Sequence, residues 1–189
     1  IELGATIAVL MDAGKGGFGD VSFMKKVPSE MMAGSEIGKF YASGTARGGE
    51  TLNFKRVPVI KKQAISAYDP RLIEVTGISM MLSAQGADHT VGNNATFKCD
   101  DKNIEELVAE SLRMQINAAV ADSLGLCVFG RSVTDENLEL ISNAINDAFD
   151  AGVTPDFIRN IGLETLRLEA AFNNAAGFDE EDDELPSFF

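Results

Sequence analysis

The sequence predicts a mostly α, multihelical protein, and three observations carry that expectation. Apolar residues recur at three–four spacing through much of the second half of the chain, the period of a helix with one buried face. Thr154-Pro155-Asp156 places a capping hydroxyl, a proline at the first helical position and a first-turn carboxylate in the order a helix start requires. The one β-branched run, Val57, Val59, Ile60 and Ile65, is interrupted by Pro58 and the Lys61-Lys62 pair, so it reads as an extended segment or a poor strand.

In chain order, Leu3 to Met11 is apolar and alanine-rich and predicts a first helix, with Gly14 placed to stop it. Gly14, Gly16, Gly17 and Gly19 mark a loop, and Gly44, Gly48 and Gly49 mark a second. Pro28 to Tyr41 between them is weakly helical. The extended segment over 53–68 leads into Asp69-Pro70-Arg71, a turn in which Pro70 fixes its own φ and pushes Asp69 towards an extended conformation.

After Cys99 the pattern is clearly helical. Ile104, Leu107, Val108 and Leu112 form an expected buried stripe, with Asp100 or Asp101 as the cap. A second helix is expected from about Thr134, burying Leu138, Ile141, Ile145 and Phe149 and ending at Gly152. A third follows Thr154, with the stripe Phe157, Ile158, Ile161, Leu168 and Phe172 and Gly177 just beyond it. The six acids from Asp179 to Glu184 repel one another and read as a loop. The closing Phe188-Phe189 pair has two readings, docking back on this chain or joining a larger interface.

The chain has 189 residues, 45% of them apolar, enough for one good core or two small ones. It carries 16 Lys+Arg against 29 Asp+Glu, a net charge of -13. That argues against nucleic acid or an anionic membrane surface as the main partner, since both need clustered cations. The apolar stretches are too short to span a bilayer. Two cysteines, Cys99 and Cys127, do not make a disulfide framework and fit reduced thiols in the cytoplasm.

Few residues invite chemistry, and each has a plain structural reading beside the functional one. His89, the only histidine, sits among small and polar neighbours in Gly86-Ala87-Asp88-His89-Thr90. It could move a proton, or be an ordinary hydrogen-bonded or exposed side chain. Cys127 closes Asp122-Ser123-Leu124-Gly125-Leu126-Cys127 at the end of a long helix. A thiolate there could bind iron or zinc, whereas a free buried cysteine is the plainer account. Arg71 beside Asp69 could hold a phosphate, or simply close the turn. No Walker loop, dinucleotide fingerprint or hydrolase elbow is present.

Taken together and in this order, the motifs resemble the aldehyde ferredoxin oxidoreductase family of tungsten- or molybdenum-pterin enzymes. Ile1 to Ala8 looks like the family helix after its first pterin motif, and Arg56 to Ile65 leading into Tyr68-Asp69-Pro70-Arg71 is similar to a segment lining the cofactor region. Gly86 to Thr90 matches a stretch near the substrate pocket, and Asp122 to Cys127 matches the second pterin motif, D-x-x-G-L-C. Leu168-Glu169 through Gly177-Phe178 to Leu185-Pro186 is similar to the family ending.

The resemblance implies multihelical carboxyl-terminal domains, with residues 1–75 belonging to the middle domain and 76–189 to the last. It implies that Asp122, Gly125 and Leu126 hydrogen-bond one pterin of a tungsten or molybdenum bis-pterin group. Cys127 would be the fourth thiolate of a [4Fe–4S] cluster, Asp69 and Arg71 would shape the pocket, and His89 would handle protons. It implies an enzyme that oxidises aldehydes to carboxylic acids and passes electrons to ferredoxin, working with amino-terminal domains and open to homodimer formation.

The C-x2-C-x3-C run that supplies the other cluster ligands is not in this sequence. Neither is the first pterin motif. The expectation is therefore a carboxyl-terminal fragment beginning at a cut before Ile1, inactive alone and holding no cofactor by itself. The alternatives are a helical interaction module without redox chemistry, or a family member with different redox chemistry.

Overall fold

A computed structural model describes residues 1–189. It contains nine α-helices and one two-stranded hairpin. The helices are α1 (Glu2–Asp12), α2 (Val21–Ala33), α3 (Glu36–Tyr41), α4 (Gly44–Thr51), α5 (Glu74–Leu82), α6 (Ile104–Ser123), α7 (Arg131–Thr134), α8 (Leu138–Phe149) and α9 (Pro155–Ala176). No helix is long and apolar enough to cross a membrane.

The first three helices share one apolar cluster built on Ile7, Leu10, Met11, Val27 and Tyr41, with Leu52 at the end of α4 packed against it. Glu2 ties this part together from the first turn of α1. Its carboxylate accepts the Thr45 N–H at 2.6 Å, at the start of α4, and the Ala64 N–H at 3.1 Å, in the hairpin. A carboxylate at a helix N-terminus satisfies an orphan amide and complements the helix dipole. This is why 44–51 is a helix and not the expected glycine loop. Gly49 contributes a second reason, since a Cβ there would lie 2.3 Å from Val57 Cγ2. Packing against the following segment overrides the glycine penalty of about 1 kcal/mol per residue.

β1 (Val59–Ile60) and β2 (Gln63–Ala64) pair antiparallel. The Lys61-Lys62 pair that interrupts the apolar run is the turn itself, with φ of 48° and 65°. Two consecutive positive φ values match the right-handed twist of a two-residue hairpin. The hairpin packs through Ile60 and Ile65 on Met80 of α5, with Tyr68, Leu185 and Phe189 against the same cluster. The terminal Phe pair thus docks back on this chain.

α6 and α9 form the long pair of the second half, with Val120 and Ile158 packed together with Ile141 of α8 in one cluster. The cap of α6 is Asn103, in a reciprocal capping box with Glu106, and not Asp100 or Asp101. The expected stripe of α6 is also corrected. Leu107 is buried, but Ile104 is 73% exposed and Val108 and Leu112 are exposed too. The buried face runs instead through Ser111, Gln115, Ala118 and Ala119. Close helix approach demands small side chains: a Cβ on Gly162 of α9 would meet the Ile116 carbonyl oxygen at 2.4 Å.

The start of α9 is as expected, with the Thr154 hydroxyl accepting the Phe157 N–H. Of its expected stripe only Ile158 is buried and Ile161 half-buried; Phe157, Leu168 and Phe172 are exposed, as is Phe149 on α8. α8 begins at Leu138, after the short α7, and not at Thr134. The acidic run is a 3-10 turn over Glu180–Asp183 with its own capping box from Asp179 and Asp182. Lys61, almost wholly buried, bonds Asp183 and the Met81 carbonyl, which neutralises one of the six acids.

Candidate functional site

The D-x-x-G-L-C segment is the carboxyl cap of α6. The Leu126 N–H reaches back to the Ala121 carbonyl at 2.8 Å and the Gly125 N–H to Asp122 at 3.2 Å, the paired bonds of a Schellman motif. Gly125 has a φ of 66°, which an L side chain adopts only with strain, so the fourth residue of the motif is glycine. The Leu126 side chain packs on the Val120 and Ile141 cluster and locks the cap.

This conformation decides which groups a ligand can use. The Gly125 and Leu126 amides are already committed to the cap. The Asp122 carboxylate accepts no intramolecular hydrogen bond, nor do the Gly125 and Leu126 carbonyls. The groups left without a partner are acceptors, which suits a ring system rich in N–H donors such as a pterin. Cys127 lies one residue beyond the cap with an exposed thiol. No group of three or more His, Cys, Asp or Glu is arranged to hold a metal ion, so these residues offer a cluster one thiolate.

His89 stands on the loop between α5 and α6. Its ring stacks on Tyr68, with centroids 6.3 Å apart and planes 19° from parallel. Neither ring nitrogen has an intramolecular hydrogen-bond partner. Both residues line an open groove of about 590 Å³ that also takes in Arg113, Arg131, Val128 and Phe129. The structure therefore brings His89 to the residues that directly follow Cys127. Phe129 is 93% exposed at this edge.

Asp69 and Arg71 close a turn on each other. The Asp69 carboxylate accepts Arg71 Nε at 2.9 Å, NH2 at 2.6 Å and the Arg71 backbone N–H at 3.0 Å. The Arg71 side-chain bonds and then its backbone N–H hold the Asp69 carboxyl down to about 2. The guanidinium also lies over the Phe189 ring at 5.4 Å. With its fork engaged in this way, Arg71 is a turn-closing residue in this arrangement. Asp69 lines a second, mostly apolar cleft of about 520 Å³ between the small-residue face of α1 and Phe189. Tyr68 borders both clefts. Ser66 lines the second cleft, and its buried Oγ is without a partner.

Two residues with a role here were not singled out by sequence. Tyr68 adjoins the Asp-Pro turn, but nothing local marks it as the partner of a histidine 21 positions on. Glu169 of α9 has its carboxyl raised above the ordinary value by burial, and further by the charges of Asp122 and Asp88. Its signal was three-dimensional only, because those acids lie far away in sequence.

The family description "aldehyde ferredoxin oxidoreductase, domains 2 & 3" matches residues 1–189. The chain is similar to three tungsten-containing aldehyde ferredoxin oxidoreductases. That of Pyrococcus horikoshii is 29% identical over 165 residues, covering 81% of this chain and 26% of the relative. That of Pyrococcus furiosus is 27% identical, covering 81% and 27%. That of Thermococcus kodakarensis is 28% identical over 166 residues, covering 82% and 27%. The chain spans about a quarter of the length of these curated relatives. Matched along its whole length, and carrying the capped motif at the end of α6, the chain belongs to the aldehyde ferredoxin oxidoreductase family.

Proposed function

We propose that the protein containing this chain oxidises aldehydes to carboxylic acids and delivers the electrons to ferredoxin, and that these residues form one wall of its redox centre. The observation that carries the reading is the capped segment Asp122 to Cys127, which presents acceptors beside an exposed thiol. When bound, a tungsten or molybdenum bis-pterin group would supply two-electron chemistry, and a [4Fe–4S] cluster would carry the electrons outwards.

In this reading Asp122 and the Gly125 and Leu126 carbonyls accept the N–H groups of one pterin. Cys127 contributes one cluster ligand. Oxidation of an aldehyde by water releases two protons with the two electrons, so a nearby base is needed. His89 is that base: its nitrogens are unengaged and Tyr68 holds the ring flat against the groove wall. Asp69 and Arg71 hold the shape of the adjoining cleft.

We also assign residues 1–75 to the middle domain and 76–189 to the last. The amino-terminal domain or a second copy would cover exposed apolar side chains such as Leu168 and Phe172. The location follows as cytoplasmic, where ferredoxin and reduced thiols are found. The test is aldehyde-dependent reduction of a viologen dye by the metal-loaded, full-length protein. Dye reduction that requires aldehyde supports the reading. Metal loading without any aldehyde-dependent reduction points to a family member with other redox chemistry and overturns it.

A further inference from the structure

Residues 92–94, just after His89, are gripped by side chains from two helices. The Gly92 carbonyl is buried, and its one intramolecular partner is Ser79 Oγ of α5, at 3.1 Å. Ser79 Oγ lies 2.8 Å from Ser111 Oγ of α6, and Gln115 Nε2 lies 3.0 Å from the same Ser111 Oγ. All three side chains belong to residues at most 4% exposed.

The donor directions follow from chemistry. An amide N–H only donates and a carbonyl only accepts. The chain therefore runs from Gln115 N–H to Ser111 O–H to Ser79 O–H, whose one proton is shared between the Gly92 carbonyl and the Val75 carbonyl one turn back on α5, at 3.1 and 3.0 Å. Gly92 is not at a positive φ, so space and not conformation excludes a side chain there. A Cβ would lie 2.3 Å from Ser79 Oγ.

The next two residues are held in the same way. The Asn94 N–H donates to Thr76 Oγ1 at 3.2 Å, and Thr76 Oγ1 bonds Asn93 Oδ1. Asn94 Nδ2 donates to Glu110 Oε1 at 2.6 Å, and Glu110 is fixed by Arg113. Thr76 and Ser79 stand one turn apart on α5, and Glu110, Ser111 and Gln115 lie along α6. Small polar residues at this crossing let the loop backbone enter between the helices.

We infer that Ser79, Ser111 and Gln115, with Thr76, are positioning residues that fix the loop carrying His89, and so hold its ring on Tyr68. The role assumed for His89 rests on the proposed function; the clamp itself does not. A chain of buried hydrogen bonds is costly to interrupt: losing the Ser111 hydroxyl strands Gln115 Nε2 and removes a partner of Ser79, and losing the Thr76 hydroxyl strands the Asn94 N–H. Such a clamp gives a proton-handling group one place without bonding to the group itself, which leaves both imidazole nitrogens free.

The test uses the single histidine, whose ring resonance in the 189-residue chain is unambiguous. Ser111→Ala and, separately, Thr76→Val are compared with the parent by proton and carbon-13 NMR of labelled histidine across pH. Tyr68→Leu reports the shift on losing the stacked ring. Val27→Ala, in the separate α1–α3 cluster, controls for loss of stability alone. The expected result is that Ser111→Ala and Thr76→Val move the His89 resonance towards its position in Tyr68→Leu, while Val27→Ala leaves it in place. A folded Ser111→Ala or Thr76→Val variant with an unchanged resonance and titration overturns the clamp, as does an equal change in Val27→Ala. If one clamp variant does not fold, the other decides. Movement of the resonance together with a full-length enzyme indifferent to His89→Ala would uphold the clamp and remove His89 from the chemistry.

Discussion

Glu2 and Ala64 are joined by a 3.1 Å hydrogen bond between a carboxylate in the first turn of α1 and a backbone amide in the hairpin. The other oxygen of the same carboxylate accepts the Thr45 N–H at 2.6 Å. One side chain thus satisfies amides in α4 and in β2. Glu2→Ala strands both and is expected to destabilise the chain by about 1–3 kcal/mol. Glu2→Gln, which keeps one acceptor, is expected to cost less. Urea unfolding of the two variants checks this; equal midpoints in both and in the parent would show that the strut carries no weight.

Gly162 sits where α9 crosses α6. Alanine there would bring a methyl carbon to 2.4 Å from the Ile116 backbone oxygen, and a backbone atom does not rotate away. Gly162→Ala is expected to cost about 1–3 kcal/mol by overpacking. Thermal unfolding measures it, and an unchanged midpoint would mean that the crossing is looser than described.

Gly125 has open space around its Cα, so alanine there meets no clash. The whole cost is conformational, about 1–2 kcal/mol for a side chain at positive φ. Gly125→Asn should recover part of it, since asparagine tolerates this region. In the full-length, metal-loaded protein Gly125→Ala is further expected to disturb the iron–sulfur EPR signal by displacing Cys127. Cys127→Ala should abolish or alter that signal outright. An identical spectrum in Cys127→Ala would remove this thiol from the cluster.

Two glutamates give opposite pH signatures. Glu110 is held below the ordinary glutamate value chiefly by its hydrogen bond from Arg113. A lowered folded pKa stabilises above the unfolded value, and the contribution is lost as pH falls through the folded one. Glu169 is raised, first by burial and then by Asp122 and Asp88. Its ionised form is therefore disfavoured in the fold, and its contribution is full below the unfolded pKa and lost as pH rises. Glu169→Gln is expected to stabilise the chain at neutral pH, with the gain vanishing in acid. Glu110→Gln is expected to destabilise it at neutral pH, with the loss shrinking in acid. Denaturation midpoints against pH distinguish the two; parallel profiles would contradict both assignments.

Local signals were legible where the physics is local. Thr154-Pro155-Asp156 starts a helix because the capping oxygen, the fixed φ and the first-turn charge act within one turn. The six residues from Asp122 to Cys127 could be read as a unit because a helix cap is contiguous in sequence. Expectations failed where a distant residue decided. The glycines at 44, 48 and 49 look like a loop until Glu2 and Val57 are placed beside them. The three–four spacing on α6 points to its larger residues, whereas close packing with α9 and α5 selects its smaller ones.

The sequence by itself determined the helical class, the strongest helix start, the family resemblance and the glycine at the fourth position of the capped motif. Each depends on residues within a few positions of one another, or on the order of motifs along the chain. Only the tertiary structure decided that Tyr68 faces His89, that Glu169 feels Asp122 and Asp88, and that Ser79 meets Ser111 under the Gly92 carbonyl. Those pairings join residues 13 to 81 positions apart. They exist because α5, α6, α9 and the loops that flank α5 pack closely enough for residues remote in sequence to share one space, and that closeness is a property of packing.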